Sequence, residues 1–204
     1  MIRLILLFLI STSSAFAESV VIGMDKEKVA ITATFDGSQI LLFGAVKRDK
    51  PAPIGDLQVI VTVAGPSERI SVHRKSKVLG IWMNTETVEV DAAPSFYAVA
   101  TSSNFLSTIS DTEDLRYKVS IPRAIRSVGA PMNVLDAVSF SEAVIRIRKE
   151  QGLYKLLQNT VEIDEQTLFR TSIDMPADIS EGDYTARILL TRDGNVIDEF
   201  STVI

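Results

Sequence analysis

Residues 73–84, HRKSKVLGIWMN, hold the chain's single histidine, three cations (Arg74, Lys75 and Lys77) and its single tryptophan, Trp82. Side chains of these types can do three kinds of chemistry. An imidazole can move protons, but only beside a positioned partner. Cations around an indole suit an acidic partner, a lipid head group or a small anion. An indole on a strand can also fill a core, since one buries on the order of 150–250 Å².

With one histidine there can be no His-rich metal site, and a serine triad would have to be built on His73. No G-x-S-x-G elbow accompanies it. His73 alternates with Ser71 and Lys75, which places it on the polar side of a strand and favours a surface or hydrogen-bonded role over catalysis. Carboxylates cluster in SDTEDL, EIDEQ and DISEGD, where paired acids could hydrolyse glycosides or bind calcium. None matches the twelve-residue calcium loop, and Asp111, Glu113 and Asp114 read as helix-start or turn residues. The glycines form no phosphate cradle, so no catalytic residue, metal or cofactor is indicated.

The chain has 204 residues, a formal charge of −5 and no cysteine. Its acidity argues against nucleic acid as a partner, because phosphates demand a basic footprint. The missing cysteines exclude disulfides, thiol redox chemistry and thiolate metal sites. The first residues, MIRLILLFLISTSSAFA, read as an export signal: Arg3, an apolar run, then the A-x-A site Ala15–Ala17. That run is short of the roughly 18–20 apolar residues that span a bilayer. Cleavage after Ala17 would leave Glu18 first and, with Arg3 gone, 20 basic against 26 acidic residues. An exported core without disulfides must come from buried apolar area, which a chain of about this length can supply.

The elements that would position residues 73–84 are short strands. VAITATF (29–35) alternates with period two, Asp36-Gly37 marks a hairpin, and QILLFGAV follows. DLQVIVTVAGP, SERISVHRK, TETVEV and SFYAVATS continue the series at sandwich spacing. From NFLSTISDTEDL through IPRAIRSVGAPMNVLDAV the alternation is lost, Pro122 and Pro131 interrupt, and no long element is assigned. SFSEAVIRIRKEQGLYKLL then predicts one amphipathic helix, with Ser139 and Glu142 as a capping box, Glu142 and Arg146 one turn apart, and a stripe of Phe140, Ala143, Val144, Ile147 and Tyr154. Gly152 either ends or weakens it. Strands resume in NTVEID, TLFRTSIDM, YTARILLT and NVIDEFSTVI, with Asp193-Gly194 a hairpin turn. Gly182-Asp183-Tyr184 resembles a tyrosine corner, in which the hydroxyl bonds back to the preceding loop.

The fold class expected is mainly β: one or two immunoglobulin-like sandwich units with a helical insertion in the middle. The expected organisation is a signal at 1–17, an N-terminal β unit at 18–102, a mixed helical connection at 103–158, and a C-terminal β unit at 159–204, able to complete the same sandwich. Charge is uneven along the chain: seven acids but only Arg170 as a base lie between Glu162 and Asp183, whereas Arg69–Lys77 is basic. Two solvated faces, the default use of such residues, explain this better than a partner does.

In order along the chain, FDGSQILLFGAV, AGPSERISVHRKSKVLGIWMNTETV, PSFYAVATS, GLYKLL and LFRTSIDMPADISEGDYTARILLTRDGNVID resemble a family of transmembrane proteins from alphaproteobacteria. The likeness rests on GP at 65–66, RK at 74–75, GIW-x-N at 80–84 and PSFYA at 94–98. It implies an export signal, a periplasmic β-rich region and one C-terminal membrane helix, with no established activity and, for some members, a place beside sulfite-exporter-type permeases. This sequence departs from that layout, because no apolar segment of spanning length follows the leader. Its apolar ending, EFSTVI, gives the expectation that an anchor lies beyond Ile204.

Residues and resemblance together predict a non-enzymatic periplasmic binding module, tethered to the inner membrane, whose partner is a permease or other membrane protein. Its candidate interaction surface is Arg74, Lys75, Lys77, Trp82, Asn84 and Tyr97. For Trp82 the core-filling reading stands beside the anchor reading, with core favoured on a sandwich strand. A small-oxyanion carrier is the second class, and an enzyme such as a hydrolase with an unrecognised site is the third.

Overall fold

A chain segment buried on one face reads as strict alternation, whereas one buried on both faces loses its polar positions. Both kinds occur in the structure, a computed structural model that describes residues 18–24, 37–48, 53–125 and 136–204. The leader, the strand expected over 29–35 and the segment containing Pro131 lie outside the described residues. Eleven strands form among those described: β1 (Glu18–Met24), β2 (Ser38–Arg48), β3 (Leu57–Ala64), β4 (Ser67–Val78), β5 (Ile81–Pro94), β6 (Tyr97–Thr101), β7 (Tyr154–Leu157), β8 (Glu162–Asp164), β9 (Leu168–Met175), β10 (Thr185–Arg192) and β11 (Asn195–Val203).

Three sheets result. The first has the order β1-β2-β9-β8 and is antiparallel throughout. Its central pair alternates, with Ile40, Leu42 and Val46 of β2 and Phe169, Ile173 and Met175 of β9 turned inward. The second has the order β11-β10-β3-β6-β7. Here Val59, Ile60, Val61 and Val63 of β3 are all buried, as expected of a strand covered on both sides. The two sheets share one buried cluster, to which Ile109, Val119, Ile121 and Val144 of the helical segment also belong. Strands from before and after that segment lie side by side in both sheets, β2 with β9 and β3 with β10. The third sheet is the pair β4–β5 alone.

β6 and β7 pair in parallel, a connection that needs a long crossover, and the helices supply it. They are α1 (Phe105–Thr108), α2 (Asp111–Tyr117), α3 (Ile121–Ala124) and α4 (Ala137–Glu150). Ser110 caps α2, its hydroxyl accepting from the Glu113 amide at 3.4 Å, and Asp111, Glu113 and Asp114 fill the first turn, where the helix dipole favours acids. Asp114 is buried and used: it accepts from the amides of Val119 (3.1 Å) and Ser120 (2.7 Å) and pairs with Arg123 (2.8 Å).

Two details of the expected helix are corrected. Its cap is Asp136, which accepts from the Ser139 amide at 3.3 Å, so Ser139 lies inside the first turn and the Ser139–Glu142 capping box does not form. The helix also stops earlier. The Leu153 amide donates to the Arg148 carbonyl and the Gly152 amide to that of Lys149, at 2.8 and 3.0 Å, a Schellman ending that needs the positive φ of Gly152 (72°). Tyr154 therefore belongs to β7 rather than to the helical stripe, and its hydroxyl donates to the Pro94 carbonyl at 2.7 Å. Tyr184 takes the expected corner geometry: it is buried and donates to the Ser180 carbonyl at 2.8 Å.

Candidate functional site

β4 and β5 form a long two-stranded ribbon. Its root is packed and its end is not. On one face Ile70, Val72, Val88 and Val90 turn toward the body, with Val88 and Phe140 of α4 forming a small buried cluster beside Val72. Arg74 continues this face and is fully engaged. Its guanidinium donates to Glu86 at 2.8 Å and to the Ser139 hydroxyl, lies 3.5 Å from the Asp136 carboxylate, and sits 4.6 Å from the Phe140 ring centroid. Hydrogen bonds from Ser139, with Arg74 alongside, hold the Asp136 carboxyl below its ordinary range. Arg74 is thus a clamp joining the ribbon to the start of α4 rather than a free cation.

Beyond Arg74 the ribbon extends as an arm. Thr85 is an extra residue in β5, and past this bulge the pairs are Lys75 with Asn84, Ser76 with Met83, Lys77 with Trp82, and Val78 with Ile81. Paired residues share a face. One face of the arm therefore carries Lys75, Lys77, Trp82 and Asn84, and the other Ser76, Val78, Ile81 and Met83. Leu79-Gly80 closes it with φ of 50° and 87°, the two positive values of a type I′ turn, which Gly80 adopts freely. The apolar residues here are exposed: Leu79 is 99% accessible, Ile81 and Trp82 67% each, and Met83 52%. Lys75 and Lys77 have no ion-pair partner among the described residues, and no acid occurs between Arg74 and Thr85.

Five of the six sequence-predicted surface residues, Arg74, Lys75, Lys77, Trp82 and Asn84, therefore lie on one element. Trp82 is exposed, which overturns the core-filling reading: the ribbon runs past the body, so strand alternation there no longer separates inside from outside. Tyr97 is the other correction. It is buried in β6, and its hydroxyl donates to the Val119 carbonyl at 2.8 Å, so it anchors the helices to the second sheet and cannot contact a partner. His73 sits on the polar face, its Nδ1 2.9 Å from the Thr87 hydroxyl. The residues that sequence reasoning missed are Val78, Leu79, Ile81 and Met83. Their signal was legible: alternation fails in KVLGIWM on both sides of a two-residue turn.

Between β4 and α4 runs an open groove of about 630 Å³, lined by His73, Arg74, Lys75, Phe140, Glu142 and Arg146 among others. Among the described residues no group of three or more His, Asp or Glu side chains could hold a metal ion.

Burial sets the titration of Tyr97, Tyr154 and Tyr184. It pushes Tyr97 and Tyr154 up to about 12, Asp114 adding to the rise at Tyr97 while Arg187 opposes it, and Tyr184 is raised for the same first reason. A folded pKa above the unfolded value near 10 contributes stability that is intact below pH 10 and is lost as pH climbs through about 12. In an alkaline titration followed by phenolate absorbance, Tyr97 and Tyr154 are expected to ionise late and together with unfolding. Complete ionisation near pH 10 with the fold intact would contradict their burial.

Among the described residues no helix is long and apolar enough to cross a membrane. No curated protein and no solved structure matches the chain. A protein family does: the one described as "Putative transmembrane protein (Alph_Pro_TM)" matches residues 19–204, and the chain belongs to that family.

Proposed function

We propose that this protein is a non-catalytic binding module of the periplasm, an immunoglobulin-like sandwich exported by its leader and held at the inner membrane, which docks through the β4–β5 arm. One observation carries the reading: an arm clamped at its root by Arg74 presents Val78, Leu79, Ile81, Trp82 and Met83 to solvent beside Lys75 and Lys77, which have no ion-pair partner among the described residues. Exposed apolar clusters of this kind mark interaction sites, and an unpartnered β ribbon left bare is an aggregation liability. Membership of a transmembrane family supports a partner at the membrane, and an exporter-type permease fits that place.

Co-sedimentation with bacterial inner-membrane vesicles tests it. The purified protein is expected to pellet with the vesicles, and a Val78→Ser/Ile81→Ser/Met83→Ser variant of equal thermal stability to stay in the supernatant. Equal pelleting of the two, or of neither, would overturn the arm as the contact element.

A small-oxyanion carrier is the second reading, favoured by His73, Lys75 and Arg146 on one groove. Because Arg74 is already neutralised by Glu86 and Asp136, Lys75 and Arg146 would have to supply the binding charge. Calorimetry with sulfite, sulfate and phosphate separates the two readings: a carrier gives saturable heat that Lys75→Ala removes.

A further inference from the structure

We propose that the arm's immediate partner is the lipid bilayer surface itself, with the tip seated among anionic headgroups; this rests on the docking role proposed above and names its partner. Three observations point to lipid rather than to a groove on a protein.

The first is the distribution of apolar surface. A protein groove covers one face of a ribbon. Here the apolar residues occupy both faces and the apex: Trp82 on one side, Val78, Ile81 and Met83 on the other, and Leu79 at the end. A ribbon end with apolar side chains on both faces and at its apex suits immersion in a medium that is apolar on every side.

The second is the placement of charge. At about 3.3 Å per residue, Lys77 stands roughly 7 Å and Lys75 roughly 13 Å back from the apex. An interfacial segment sinks about 5–10 Å into the headgroup boundary. The two lysines therefore fall at the headgroups, where each basic residue adds attraction to an anionic leaflet, and no acid on the arm opposes them. The tip is cationic on a chain of net charge −5, so the field orients it toward such a surface. Tryptophan favours the same boundary.

The third is a local cost. A type I′ turn prefers Asn or Asp at its first position, and a non-glycine residue pays for left-handed backbone. Leu79 sits there at φ 50° with its side chain 99% exposed. Neither folding nor solubility gains from that choice. A leucine that enters hydrocarbon accounts for it.

Trp82 is the chain's single tryptophan, so its fluorescence reports from the tip alone. The purified protein is titrated with vesicles of phosphatidylcholine and phosphatidylglycerol, and with phosphatidylcholine alone. The expected result is a blue shift and quenching by bromolipid with the anionic vesicles, weakened by salt. Lys75→Gln and Lys77→Gln should each weaken partition about fivefold. Leu79→Asn, a better turn residue, should leave thermal stability equal or higher yet weaken partition at least about tenfold. That split separates a membrane role from a structural one.

Three outcomes overturn the proposal. Unshifted emission with lipid vesicles, while native inner-membrane vesicles still bind, makes the partner a protein and leaves the docking role standing. Binding to neither removes both. A blue shift that grows with protein concentration and needs no lipid makes the tip a contact between copies.

Discussion

Replacing Glu18 with Ala is expected to lower the free energy of unfolding by about 3 kcal/mol, because removing one partner of a buried ion cluster leaves the others uncompensated. Glu18 opens β1 and is buried between two guanidiniums. Its carboxylate meets Arg48 Nε at 2.5 Å and Arg192 Nη2 at 3.0 Å. The three residues join the first sheet to the end of β10 in the second. The expected loss lies at the lower end for such clusters, since Arg192 keeps the Gly55 carbonyl and Arg48 the Gln166 carbonyl as acceptors. Replacing all three residues with Leu or Met should recover most of the loss, because an apolar cluster of similar volume has no charge to strand. Chemical denaturation of the single and triple variants measures both, and a single variant within 0.5 kcal/mol of the wild type would show the cluster to be solvated.

The same cluster fixes a pH dependence. Burial alone would raise the Glu18 carboxyl, but the hydrogen bonds and charges of Arg48 and Arg192 outweigh it and hold the group below its usual 4.5. A depressed folded pKa contributes stability that is present above the unfolded value and is lost as pH falls through the folded one. The stability difference between wild type and Glu18→Gln should therefore be constant near neutrality and shrink in acid below about pH 4.5. A difference that grows in acid would contradict the sign.

Phe96→Ala should cost about 3–5 kcal/mol, the range for deleting a large aromatic side chain from a packed site. Phe96 is fully buried at the turn between β5 and β6, its ring 6.3 Å from that of Tyr184. Its carbonyl accepts from the Gly65 amide at 2.8 Å, so the surrounding backbone is held in place and collapses poorly into a void. Phe43→Ala is the control: Phe43 is 44% exposed on the outer face of β2, and its loss should cost under about 1 kcal/mol. Equal losses at the two positions would mean that the inner and outer faces are misassigned.

The sequence made the fold class legible wherever one face is wet. β2, β9 and the Asp193-Gly194 hairpin follow from period two and turn chemistry. Legibility failed where burial is two-sided or where distance along the chain is large. Tyr97 stands in the candidate interaction surface, yet β6 is buried at every position and takes it out of reach. GLYKLL extends the apolar stripe past Gly152, a residue that could either end or weaken the helix, and the Schellman bonds there decide for the end, leaving Tyr154 to a parallel strand. The Glu18 cluster joins residues 30 and 174 positions apart and leaves no local signal. Arg74, Lys75, Lys77, Trp82 and Asn84, close in sequence, lie on one ribbon. Composition did not show that Arg74 is already paired, or that the ribbon outruns the body and carries Trp82 with it.

Acrylamide quenching of the single tryptophan in buffer, with no membrane present, tests the central claim most directly. An arm whose end stands free in water predicts quenching close to that of free indole, and nearly unchanged emission after Val72→Ala loosens the root. An indole shielded from acrylamide in the folded monomer would place Trp82 against the body and contradict the account.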